Sequence, residues 1–155
     1  MNTFQKLAGA AVLALAGAGS AQATIVDIAP PAYGTWQVFD VSDLLAASGG
    51  TEWIDIADGS ALSFNFVVPT GYTAHVTVVD GGFAGDRFAV SANGTLLGST
   101  SLPVDTQAVN VGLDFDAALA DSRYSRGVFE LGAGSYSLTG VLTLSATDKI
   151  GRAHV

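Results

Sequence analysis

The stretch LSFNFVVPTGYTAHVTV, residues 62–78, decides the fold class. In its first half Leu62, Phe64, Phe66 and Val68 recur at every second position, with Ser63 and Asn65 between them. In its second half Tyr72, Ala74, Val76 and Val78 do the same against Thr73, His75 and Thr77. Side chains of a strand alternate between faces, so period-two alternation predicts two strands, each with one buried face. Pro69-Thr70-Gly71 separates them. A short Pro/Gly loop between alternating runs predicts an antiparallel hairpin.

Working outward, the same pattern repeats. Towards the N-terminus, residues 24–35 contain Pro30, Pro31 and Gly34 and read as an irregular lead-in. Trp36–Val41 reads as a strand, Asp43–Ala47 as one helical turn before Gly49-Gly50, and Trp53–Ile56 as a short strand closed by Asp58-Gly59. Towards the C-terminus, DGGFAGD (80–86) is a glycine-rich loop, and Arg87–Ala92 and Thr95–Gly98 flank Asn93-Gly94. Asn-Gly tolerates the positive φ angles of a type I′ turn, a strong hairpin signal. Val109–Phe115, Val128–Leu131 and Tyr136–Leu144 read as further strands, with one helical turn at Asp116–Asp121. Val67, Val79 and Val141 interrupt otherwise polar faces, which predicts local cover on both sides. About eight or nine short strands with Gly and Pro turns, and no long 3.6-period segment after the first 23 residues, predict an all-β antiparallel β-sandwich, with a jelly-roll-like arrangement as one form of it.

Composition narrows the function classes. The chain has 155 residues, no Cys, 6 Lys plus Arg and 14 Asp plus Glu, for a net charge of -8. Such acidity argues against nucleic acid, whose phosphates need a basic surface. Absence of Cys removes disulfides, thiol catalysis and zinc–thiolate sites. Lys6, the apolar run LAGAAVLALAGA (7–18) and small residues up to Ala23 form the n-region, h-region and cleavage pattern of a secretory signal peptide. The expected organisation is therefore a signal peptide, 1–23, and a single β-sandwich domain, 24–155, with no membrane span in the mature chain. The expected location is secreted or extracellular, with the periplasm as the other compartment a signal peptide reaches.

Residues Val79-Asp80, Gly85-Asp86-Arg87-Phe88-Ala89-Val90, Asn93-Gly94 and Leu97-Gly98-Ser99-Thr100-Ser101 form a further pattern. With Tyr124-Ser125-Arg126-Gly127-Val128-Phe129-Glu130-Leu131 and Gly132-Ala133-Gly134-Ser135-Tyr136-Ser137-Leu138, it resembles bacterial exported proteins that carry a PEP-CTERM sorting tail. The resemblance spans roughly Trp36 to Ala146 and implies export and an all-β domain. It also implies an envelope or exopolysaccharide context. The sequence departs from that family in ending at KIGRAHV (149–155), with no Pro-Glu-Pro motif, apolar helix or basic cluster.

Few residues point to chemistry. Asp80 and Asp86 flank Gly81, Gly82 and Gly85, and carboxylates on a tight loop are candidate calcium ligands, although the spacing is not that of an EF-hand. The plainer reading is that both bond to their own loop. Asp114, Asp116 and Asp121 are a second acidic group; on a strand, Asp114 and Asp116 would project to one side about 6.6 Å apart, within the reach of a glycosidase pair but with no cleft signal. His75 is the one histidine of the folded body and sits with Thr73 and Thr77 on a polar strand face, too few ligands for zinc. Among Tyr33, Trp36, Trp53, Tyr72 and Tyr124, the candidate sugar-stacking residues are Trp53, Tyr72 and Tyr124, against core packing as the alternative. The expected function is a non-enzymatic, exported structural or matrix-associated β-domain. A carbohydrate-binding module, calcium-assisted, is the alternative. Expected partners are extracellular polysaccharide or envelope proteins. No cofactor other than calcium is expected.

Overall fold

The computed structural model describes residues 22–28, 35–104 and 106–145. Most of the signal-like segment, Tyr33 and residues 146–155 lie outside the described residues.

Among the described residues, nine strands and one short helix follow one another: β1 (Thr24–Asp27), β2 (Leu62–Val68), β3 (Ala74–Val79), β4 (Phe83–Ala84), β5 (Arg87–Ala92), β6 (Thr95–Ser99), β7 (Thr106–Asn110), α1 (Phe115–Ala120), β8 (Arg126–Leu131) and β9 (Gly134–Leu144). Five of them form one sheet in the order β1-β2-β9-β5-β6, while β3 pairs with β8 and β4 with β7. All pairs are antiparallel except β1 with β2. The chain is thus all-β and sandwich-like, with unequal layers whose order does not establish a jelly roll.

The expected hairpin over residues 62–78 does not form. β2 pairs with β9 and β3 with β8, so the Pro69–Thr73 loop carries the chain from one layer to the other. Leu62 and Phe64 of β2 then meet Val78 of β3 across the core instead of lying beside it. Alternation dictates which face of a strand is buried, and both arrangements bury the same faces. The Gly132–Ala133 turn likewise passes between layers, from β8 to β9. By contrast, Asn93-Gly94 closes the expected hairpin between β5 and β6, with φ of 51° and 76°. The Asn93 side chain fastens this turn to β9, donating from Nδ2 to Ser135 O (2.9 Å) and accepting the Ser137 N–H at Oδ1 (2.8 Å).

Other boundaries move as well. The lead-in contains β1, which uses Ile25 and Val26 beside β2. Trp36–Val41 is extended but forms no strand; its backbone makes one isolated bridge, from Asp40 to Ile54. The strand expected to run to Phe115 ends at Asn110, because Gly112 (φ 58°) turns the chain and Asp114 starts α1. Of the interrupting valines, Val79 is buried, while Val67 and Val141 are exposed.

The main core joins Trp53, Leu62, Phe64, Val78, Phe88, Val90, Leu131 and Leu138 between the layers. A smaller cluster joins Val79, Ala84 and Tyr124 to Ala118 of α1, with Trp36, Val109 and Phe115 packed against it.

Candidate functional site

A groove of about 930 Å³ opens between the layers. The floor is aromatic: Phe39, Phe64, Phe66 and Phe88, with an edge of Trp53. The run Tyr72–Val79, which is β3 and its approach, forms a wall, and the run Thr35–Asp40 also lines the groove. Phe115, Asp116 and Leu119 of α1 close one end. Val38, Ile56, Val67, Tyr72 and Leu113 line the groove and are each more than half exposed, so an apolar rim continues into an apolar interior. Scattered exposed apolar side chains are ordinary on a protein surface, but a contiguous apolar rim around a concavity marks a binding surface.

Its polar lining comes from Thr35, Gln37, Asp40, Thr73, His75, Thr77, Asn110 and Asp116. The Trp36 indole N–H donates to Asp116 Oδ1 at 3.0 Å, and its ring packs against Phe115 with centroids 5.8 Å apart. This pins the Thr35–Asp40 run to α1. Asp40 holds the other end through its backbone bonds to Ile54. Burial raises the Asp40 carboxyl above its ordinary range, because the charged form loses hydration there. His75 stands exposed on β3, as its alternation predicts. Among the described residues, no Lys or Arg lines the groove.

The three aromatic residues expected to stack on sugars part company. Tyr72 is 65% exposed at the groove mouth. Trp53 is 1% exposed and stacked on Phe39 at 4.1 Å, so its ring is spent on core packing. Tyr124 is wholly buried. Its hydroxyl donates to Gly82 O (2.8 Å) and accepts the Val111 N–H (3.1 Å), clasping two loops together. Neither Trp53 nor Tyr124 therefore offers a face to a ligand. Trp36, which is not one of those three, also borders the groove.

The acidic loop turns inward. Asp80 and Asp86 are both fully buried. Asp80 Oδ2 accepts the backbone N–H groups of Gly85 (3.0 Å) and Asp86 (3.1 Å), as the loop-bonding alternative predicts. Asp80 Oδ1 has no hydrogen-bond partner. Desolvation, reinforced by the neighbouring Asp86 charge, pushes the Asp80 carboxyl up to about 7 against the opposing backbone N–H groups of Gly85, Asp86 and Gly81. No group of three or more His, Cys, Asp or Glu side chains suited to a metal occurs among the described residues.

The second acidic group is dispersed by local structure. Asp114 caps α1, accepting the Ala117 N–H at 3.0 Å. Asp116 takes the Trp36 indole. Asp121 pairs with Arg123 at 2.5 Å. Asp114 and Asp116 lie at a helix start, not on a strand, so the two-carboxylate geometry expected of a strand does not arise.

Fold and groove together define an all-β, sandwich-like domain with an apolar inter-layer groove. No family model, curated protein or solved structure matches the chain.

Proposed function

We propose that this chain is a non-catalytic, exported β-domain, structural or matrix-associated, that engages a partner through the inter-layer groove. The observation that supports this reading is the continuity of the apolar rim with the aromatic floor. An apolar concavity gains free energy by excluding water from a partner's apolar surface, with a few polar groups setting orientation. The signal-like first 23 residues and the likeness to exported proteins support an extracellular or periplasmic setting. Envelope proteins are the partners this lining suits.

Binding of the neutral apolar fluorophore Nile red tests the groove. It should bind the native protein and lose roughly tenfold or more in affinity when Val38→Glu or Val67→Glu puts a charge on the rim. Equal binding by all three proteins would remove the groove from the account.

A glycan-binding reading has two observations in its favour: the exposed Tyr72 ring at the groove mouth, and the buried Asp80 Oδ1 beside Asp86, where a cation would find an oxygen without a donor. Thermal unfolding with millimolar calcium after chelation tests it, since a ligand of the folded state raises its midpoint. A rise absent from Asp86→Asn supports calcium; an unchanged midpoint rules against calcium at that concentration.

A further inference from the structure

The groove wall formed by Tyr72–Val79 is eight consecutive residues. A strand presents alternate residues on its face and consecutive residues only along its edge. One edge of β3 is taken by β8; the other has no strand partner among the described residues. The groove therefore runs along that edge, over about 20 Å of strand.

The ladder identifies which backbone groups point into it. Asp80 N–H donates to Ser125 O at 2.9 Å, in register with the β3–β8 pairing. Hydrogen-bonded and non-bonded pairs alternate in an antiparallel ladder. Ala74, Val76 and Val78 accordingly bond to β8, and His75, Thr77 and Val79 turn their N–H and C=O outward. Soluble proteins blunt such edges with Lys, Pro or a bulge. β3, with the sequence AHVTVV, has no Lys or Pro, and its register with β8 runs without a shift.

We propose that the outer edge of β3 accepts an added strand: an extended peptide segment of a partner protein, about five or six residues long, with apolar side chains entering the groove and basic side chains beside Asp40 and Asp116. This deepens the preceding reading and rests on it. The basic character follows from the lining, which has two carboxylates and no Lys or Arg among the described residues. A second copy of this chain is a poor occupant, because two chains at -8 repel.

The probe is a labelled synthetic peptide of about six residues alternating lysine and valine, with an alternating glutamate–valine control. Two further versions carry backbone N-methyl groups, one at every lysine and one at every valine. Successive N–H groups of a strand point to opposite sides, so edge pairing predicts that one methylated version binds like the parent and the other at least about tenfold more weakly. Thr77→Pro, which removes an outward N–H and none of the β8 ladder, should weaken the parent peptide to a similar extent. Should that variant fail to fold, the methylated pair decides the matter on the unaltered protein. No binding by the parent, or equal binding by both methylated versions, overturns edge pairing, and Nile red binding still reports whether the groove itself stands. Concentration-dependent self-association that the parent peptide cannot compete away would make a second copy the occupant and overturn the proposal as well.

Discussion

At the scale of single residues, Gly140 is the most tightly packed of the main-sheet glycines Gly98, Gly134 and Gly140. It lies on β9 under the Trp53 indole, and a Cβ there would sit 2.2 Å from the ring. The Gly140 carbonyl also accepts the Trp53 N–H at 2.9 Å, which brings the two backbones together. Gly140→Ala is expected to destabilise the fold by about 1–3 kcal/mol through overpacking, read from denaturant unfolding. A loss near zero would mean that Trp53 has room to move. Asp80 makes a second prediction. Its folded pKa of about 7 stands above the ordinary 3.8, so between those values the native state holds a proton that the unfolded chain has released. Stability from this group is therefore greatest at and below about pH 4, falls as pH rises to about 7, and is flat above that. The slope is at most about 1.4 kcal/mol per pH unit. Asp40 acts in the same direction, whereas Asp121, lowered to about 2 mainly by its Arg123 hydrogen bond, acts only at more acid pH and in the opposite sense. Asp80→Asn should flatten the decline between pH 4 and 7; parallel profiles would show that Asp80 is not its source.

At the scale of elements, α1 depends on its cap. The Asp114 carboxylate satisfies the Ala117 N–H, and a helix of one and a half turns has little else to hold its start. Asp114→Ala is expected to cost about 1 kcal/mol and to loosen Asp116 from the Trp36 indole, which tryptophan fluorescence follows. An unchanged unfolding midpoint and spectrum would mean that packing of Phe115 and Leu119 alone holds the helix. These elements also show where the sequence speaks plainly. The alternation in Leu62–Val68 and Asn93-Gly94 are local signals, and both give the observed structure. Partner choice is not local. Nothing in residues 62–78 says that β2 will pair with a strand some 70 positions away, because the competing hairpin buries the same side chains. The acidic loop was legible in part: its turn chemistry follows from Asp and Gly, but its burial depends on β8 and α1 arriving from elsewhere in the chain. Aromatic residues were the least legible. Trp53 and Trp36 have similar surroundings in the sequence, yet Trp53 is capped by Phe39 and Gly140 and Trp36 borders the groove.

At the scale of the whole molecule, the layers are unequal. Among the described residues a five-stranded sheet is accompanied by two separate two-stranded pairs, β3 with β8 and β4 with β7, and Phe64, Phe66 and Phe88 of the larger sheet line the groove. No helix among the described residues is long and apolar enough to cross a membrane. The strand order has one more consequence. β9 is the central strand, holding β2 on one side and β5 on the other, yet it is the final element of the described chain. Until it is synthesised, the larger sheet consists of pieces with no common neighbour, and β-pairings distant in sequence are slow to form. At typical rates of about 5–20 residues per second, the nascent chain spends seconds without its keystone. A chain ending at Ala133 should therefore stay protease-sensitive and lack cooperative unfolding, whereas a compact, cooperative product would show that the sheet nucleates without β9. The order in which the described strands are written therefore acts as a timer on folding: the larger sheet stays open until β9 arrives between β2 and β5.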